Sequence, residues 1–290
     1  MKFTRLLYIM VITVMVIPFP RVSHALDLTF RPRLESGMEY YKFKIDNVFR
    51  ITGQGSSVSA SQVEMEDWMP IISGGFTVVA NRFYVDLSGL KAFNGEDDIK
   101  RNSSTSFPGG TAIGKVKGDG DFDRWEYSLS LGYLVTDNLS VFAGYRESKT
   151  DLKFNSSVST QEGDFLGTTK IKSDFEQDGP FIGASYGWHI NKSVFKGVLS
   201  GSIAFAALDG DFKINSVSGD FTKDQLPDDS SSGDTTGMKV GFAWTGATPV
   251  ERLNYTLGVD GYKYEFDANG DDPDVNETVI NLKVGLAYTF

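Results

Sequence analysis

Apolar residues recur at every second position over long stretches of this chain, and that rhythm admits few folds. Reading back from Phe290, one face carries Tyr288, Leu286, Val284, Leu282 and Ile280, and the positions between are Thr289, Ala287, Gly285, Lys283 and Asn281. Successive side chains of a strand point to opposite sides, so this stretch is predicted to be a strand with one apolar face and one small or polar face. The pattern repeats upstream. Trp125, Tyr127, Leu129, Leu131, Tyr133 and Val135 alternate with Glu126, Ser128, Ser130, Gly132 and Leu134, and the next segment sets Leu139, Val141, Ala143 and Tyr145 against Ser140, Phe142, Gly144 and Arg146. Similar faces read Ile182, Ala184, Tyr186 and Trp188, then Met238, Val240, Phe242 and Trp244.

Two kinds of connection alternate between these segments. Tight turns are predicted at 80–82, 136–138, 190–192 and 249–252. Long loops rich in Gly, Ser, Asp and Lys are predicted at about 47–66, 94–121, 149–177, 209–234 and 267–276. Five long loops and four tight turns give about ten strands, all antiparallel. Residues 1–25 read as a cleavable export signal: Lys2 and Arg5, an apolar run from Leu6 to Ile17, and the small-x-small site Ser23-His24-Ala25. That run is too short to cross ~30 Å of hydrocarbon as a helix. Residues 26–290 then form one β domain. Removing Lys2, Arg5 and Arg21 takes the net charge from −10 to −13, which argues against nucleic acid as a partner. With no cysteine in the chain, no disulfide can form.

A soluble β-sandwich also alternates, but here the second face is wrong for a core: Gly, Ser, Lys, Glu and Asp stand where a sandwich places Val and Leu. The aromatics gather at strand ends. Tyr133, Trp188, Trp244, Tyr255, Tyr288 and Phe290 lie toward the tight turns, and Trp125, Tyr127 and Tyr145 toward the long loops. This is the arrangement of two interfacial girdles. With its terminal aromatic, its export signal and its short-turn, long-loop asymmetry, the chain resembles the small outer-membrane β-barrels of Gram-negative bacteria over residues 26–290. The resemblance implies an all-β, transmembrane, antiparallel up-and-down barrel with both termini and the tight turns periplasmic. It implies outer-membrane lipids and lipopolysaccharide as surroundings. It also implies a barrel-assembly machinery that reads Phe290, Tyr288 and Leu286. The first strand is less regular, since Leu34, Met38 and Tyr40 share one face and Tyr41, Phe43 and Ile45 the other. A bulge near Tyr40, or departure from the membrane there, would account for it.

The inward face is where chemistry would sit. Alternation puts Arg33, Glu35, Glu39, Asp86, Glu126, Arg146, His189, Lys196, Lys239, Asp260 and Lys283 inside. A turn centred on Thr136 sets Glu126 opposite Arg146, and across the closing seam Lys283 falls near Asp260 and within reach of Glu35 or Glu39. Acids and bases are mixed, as expected for a filled, charge-compensated lumen. The other expectation is a narrow polar pore for small hydrophilic solutes. A second resemblance lies between 151–159 and 211–218, where Asp-x-Lys-x-Asn-Ser recurs at a spacing of 60 residues. Both copies are predicted to continue strands beyond the membrane with a polar outer face.

Enzyme chemistry finds little support in the residues. Ten strands with tall loops also resemble the omptin surface proteases, whose family pattern requires a His–Asp couple at the outer rim. The single histidine after the signal, His189, lies beside the predicted turn at 190–192, at the opposite end. Serine or acyl-transfer chemistry lacks a base for the same reason. The acidic segment at 267–278 departs from a calcium loop, with Asp272 at its sixth position and Thr278 at its twelfth. No metal, cofactor or catalytic residue is therefore expected, and the surface ligand is left open. Deleting Phe290 is expected to lower the amount of chain inserted in the outer membrane. Quantitative immunoblotting of membrane fractions checks this, and unchanged abundance contradicts it.

Overall fold

The computed structural model describes residues 28–53, 56–107, 110–160, 165–192, 195–219, 230–268 and 275–290. The export signal at 1–25 lies outside the described residues. Ten strands follow in chain order: β1 (Leu28–Gly53), β2 (Ser56–Ala80), β3 (Phe83–Phe107), β4 (Gly110–Leu134), β5 (Leu139–Thr160), β6 (Phe165–Lys192), β7 (Phe195–Gly219), β8 (Ser230–Ala247), β9 (Leu253–Ala268) and β10 (Val275–Tyr288). Each pairs antiparallel with the next, and β1 pairs with β10, so the sheet closes on itself. The expected fold class and the count of ten strands are both found.

The strands run much further than expected. The segments at 47–66, 94–121 and 149–177, predicted to be long loops, are mostly continuous strand. The reason is visible in their register: once two strands leave a tight turn in alternation, their Ser, Thr, Asp and Lys residues continue to satisfy the antiparallel ladder. The longest strand, β6, has 28 residues, nearly three times the ~10 needed to cross a bilayer. Strands continue through 151–159 and 211–218 as expected. The tight turns after β2, β4 and β8 are where they were predicted, and Asn81 takes the left-handed conformation (φ 55°) that its two-residue turn requires. Asn191 and Lys192 are an exception: they remain in β6, with Lys192 paired to Phe195.

Lipid-type side chains cover the lower outer wall, where Leu34, Ile72, Leu131, Ile182, Phe205 and Val284 are exposed. Aromatic rings border this belt at both ends. Tyr40 packs on Trp68 and Trp125 on Tyr127 at one end; Phe83 packs on Tyr133 and Tyr186 on Trp188 at the other. The end of β10 is tied to the start of β1, since the Phe290 N–H donates to the Phe30 carbonyl at 2.9 Å and the two rings stand 5.9 Å apart.

Above the belt the inside of the barrel is apolar. Tyr41, Phe43 and Ile45 of β1 are fully buried in a core with Phe122, Leu152, Phe175, Phe212, Tyr264 and Phe266. No bulge occurs at Tyr40: β1 keeps one register with β2 from Leu28 to Asp46, and the shift falls between Asp46 and Phe49. The apparent irregularity of this strand marks the level at which the lumen changes from polar to apolar. The two copies of the repeated segment supply equivalent core residues, Leu152 and Phe154 from β5 and Phe212 and Ile214 from β7.

The outer face at this height is acidic, and its register is unusual. Glu147, Asp178, Asp209, Asp234 and Asp267 stand directly opposite one another across β5 to β9. Neighbouring strands are ~4.8 Å apart, and like charges directly opposite each other destabilise a sheet. Partial burial, with Glu176, Asp178 and Asp209 nearby, raises the Asp211 carboxyl above its ordinary value of 3.8. Burial, with Asp178 and Glu176, raises Glu147 similarly. A carboxylate raised in the folded state holds more protons there than in the unfolded chain, so its contribution to stability falls as pH rises. Asp209→Asn and Asp211→Asn are each expected to raise resistance to urea at pH 7 by ~0.2–1 kcal/mol. For Asp211→Asn the gain should shrink as the pH is lowered toward 4 and that raised carboxyl protonates; urea titrations at the two pH values check the sign for both variants and the trend for this one.

Candidate functional site

Below the apolar core the inward positions turn polar, as alternation requires. The two zones meet at Arg124 of β4, whose side chain is fully buried. Its Nη1 donates to Glu39 of β1 at 3.0 Å and its Nη2 to Glu126 at 2.7 Å, and its Nε lies 3.5 Å from Glu277 of β10. Arg146 of β5 donates to the same Glu126 oxygen at 3.2 Å and stacks over Tyr264 at 4.2 Å. Two guanidinium groups and three carboxylates thus form one layer spanning the lumen. The fork of an arginine suits this task, because it presents donors in several directions from one rigid plane.

Beneath that layer is a cavity of about 630 Å³. Arg33 binds Asp86 with both terminal nitrogens, at 2.6 and 2.9 Å, and Thr77 donates to Asp86 at 2.6 Å. To reach β3 from β1, Arg33 passes over Gly75, where an added Cβ would stand 3.2 Å from its Nη2 and 2.2 Å from the Leu87 carbonyl oxygen. Lys283 forms an ion pair with Asp260, and Lys239 lies 3.8 Å from the same carboxylate with its ammonium 4.6 Å over the Tyr262 ring. Glu35 accepts from Ser73 at 3.1 Å and from Thr256 at 3.4 Å. Serine hydroxyls fill the spaces between charges, for example Ser88 with Ser128 at 2.7 Å.

Nine of the eleven predicted lumen residues are therefore inside, in two groups, while His189 and Lys196 are exposed at the turn end. Arg33, Glu35, Asp86, Glu126, Arg146, Lys239, Asp260 and Lys283 line the cavity, whereas Glu39 lies in the layer above it. Glu126 does not stand opposite Arg146. It faces Ser148, and Arg146 faces Ser128, because the turn is centred one residue later than expected; the two side chains meet on the diagonal. Lys283 takes Asp260 in preference to Glu35 or Glu39. Arg124 and Glu277 were missed. Both continue an alternation already recognised, two residues before Glu126 and three before Ile280. His189 is exposed and opposite Val198, toward the turn end of β6. Among the described residues, no group of three or more His, Asp or Glu side chains has the placement to hold a metal ion.

No family model and no curated protein matches the sequence. Solved structures do match. The outer membrane protease OmpT of Escherichia coli superimposes with a TM-score of 0.58 at 13% identity, covering 92% of this chain and 98% of OmpT. This is the fold of the outer-membrane β-barrels. More distant matches are the translocator domain of the autotransporter NalP from Neisseria meningitidis (TM-score 0.37, 10% identity, covering 93% and 92%) and the attachment protein Ail of Yersinia pestis (TM-score 0.32, 10% identity, covering 90% and 99%). At such identities the likeness carries the fold alone.

The layer at Arg124 holds together strands from different sides of the barrel, and its removal has a defined consequence. Arg124→Met leaves three buried carboxylates without their shared cation and is expected to cost ~3–5 kcal/mol. Glu126→Gln keeps the barrel closed with a smaller loss. Urea unfolding followed by the heat-modifiable shift on gels measures both, and a stable Arg124→Met barrel would contradict this account.

Proposed function

We propose that this chain is an integral protein of the bacterial outer membrane that does not conduct, and that it acts through the surface its extended strands present outside. The short turns and both termini face the periplasm in this reading. Lipopolysaccharide surrounds the apolar belt, and the assembly machinery recognises the strand ending in Phe290. The observation that carries it is the contact between Phe43 of β1 and Phe175 of β6, 5.7 Å between ring centres. In the barrel order these two strands are five places apart, on opposite sides of the cylinder. Side chains that touch across the full diameter leave no axial path between them. Tyr41 of β1 likewise reaches Thr150 of β5 at 3.1 Å, and Phe175 continues to Phe266 of β9 at 5.5 Å.

The second reading, a narrow passive channel, has the polar cavity of about 630 Å³ in its favour. That cavity ends at the Arg124 layer, and the ring stack lies above it. A catalytic role is not part of the proposal, since the described histidine lies at the turn end. Purified chain reconstituted in planar lipid bilayers is expected to show no current steps over repeated insertions, with insertion verified by protease protection. Reproducible unitary steps would overturn the closed-lumen reading in favour of the channel.

A further inference from the structure

One side of the wall departs from the ladder that closes the others. β2 and β3 are paired from Ala80↔Phe83 up to Ile71↔Ala92. Above that point, across 64–70 of β2 and 93–98 of β3, no backbone pair joins them among the described residues. Each strand remains laddered to its other neighbour there, with Pro70 opposite Met38 and Gly95 opposite Phe122.

The sequence builds this interruption from several parts. A bulge between Ala92 and Gly95, with Asn94 in the left-handed region (φ 54°), turns β3 by one residue so that its donors no longer meet β2. Pro70 has no N–H to give. The donors that remain are satisfied by side chains. Glu66 N–H donates to Asp97 at 2.9 Å and Glu96 N–H to Asp67 at 3.0 Å, while Trp68 N–H is taken by the other Asp67 oxygen at 2.7 Å. Asn94 N–H turns away to Asp123 on β4 at 3.1 Å. Two aspartate contacts therefore bridge the strands where a ladder would otherwise stand.

What lies on either side of this seam is apolar. Met65, Met69 and Phe122 are buried directly behind it. An added Cβ at Gly95 would stand 2.4 Å from the Phe122 ring and 2.7 Å from the Met69 sulfur, so the β3 backbone rests on both. On the outside Trp68 and Phe93 are exposed by 46% and 37%, at the upper edge of the apolar belt. Glu64, Glu66, Asp67, Glu96 and Asp97 stand above them; Lys42 pairs with Glu64 at 2.7 Å and Glu66 at 3.2 Å, so five carboxylates against one ammonium leave the upper part of the seam net negative.

We propose that the β2–β3 seam is a lateral binding site for a single apolar chain carrying an uncharged or cationic head. The chain passes between Trp68 and Phe93 and lodges against Met65, Met69 and Phe122, while the head stays among the carboxylates. The strands part there without breaking a backbone ladder. Methionine side chains re-pack around a guest more readily than branched or aromatic ones, and the carboxylates reject an anionic head.

The absence of cysteine from the chain makes single-cysteine reporters clean. Met69→Cys lies behind the seam, and Val279→Cys lies behind the intact pairing of β10; both parent side chains are fully buried. In reconstituted protein, N-phenylmaleimide is expected to modify Met69→Cys about ten times faster than Val279→Cys. Dodecyltrimethylammonium, kept below its micellar concentration, should slow that labelling, and dodecyl sulfate should not. Equal rates at the two positions, slow or fast, would overturn the proposal. So would an absence of protection by the cationic amphiphile, or equal protection by both. If Met69→Cys fails to fold, Met65→Cys provides the same comparison. The readout is independent of conduction, so it stands apart from the bilayer experiment.

Discussion

A strand that crosses hydrocarbon must satisfy every N–H and C=O through its neighbours, and this leaves the wall of the molecule only one solution, closure. Ten antiparallel strands with β1 on β10 meet that demand. Closure also encloses a cylinder somewhat wider than the eight-stranded size that side chains simply fill. The rest of the structure follows from how that interior is occupied. At the level of the lipid belt the inward face is polar, with charges joined in pairs such as Arg33 with Asp86 and Lys283 with Asp260. Above the belt the filling is a stack of aromatic and branched side chains.

The change from one filling to the other occurs within a few residues on each strand and has a physical logic. Where the outer face is apolar, the inner face can be wet, because the ladder and the surrounding lipid hold the strands. Where the outer face is polar, an apolar interior supplies the burial that the membrane no longer provides. Arg124 sits at this boundary and is fully buried. A charge in that position requires close partners, and it draws them from β1, β4 and β10. The ion layer therefore fixes the height at which one regime gives way to the other.

Most of the wall was legible in the sequence, because a period of two needs no tertiary information. The strands, their order and the sign of each face follow from Trp125 to Val135 or from Ile280 to Phe290 without further input. What was not legible depends on contacts across the lumen. Tyr41, Phe43 and Ile45 looked like a defect in β1, since nothing local announces that Phe175, from the opposite wall, covers them. The strand extensions read as loops in the sequence because Ser, Asp and Gly suit both turns and polar strands, and only the partner strand decides. The Glu126–Arg146 contact was recovered although its register was shifted, because long side chains reach diagonal as well as direct neighbours. Arg124 lies on the same alternation, two residues before Glu126, but only its partners Glu39 and Glu277 from other strands mark it as the centre of a layer.

The acidic row on the outer wall bears on what holds the upper barrel up. Glu147, Asp178, Asp209, Asp234 and Asp267 repel one another across four consecutive strand pairs. These directly opposed carboxylates therefore oppose the sheet, and between β5 and β6 they are offset in part by the Tyr145 hydroxyl on Asp178 and by Lys149 on Asp174 and Glu176. The backbone ladder continues through it all the same, and directly behind lie Leu208, Phe212 and Phe266. That inner packing adds to the ladder the burial that the acidic face lacks. An open lumen at this level would leave an acidic sheet with no compensating burial. Strands of this height and charge thus require a filled interior, and the apolar filling and the tall acidic wall are two consequences of one packing arrangement.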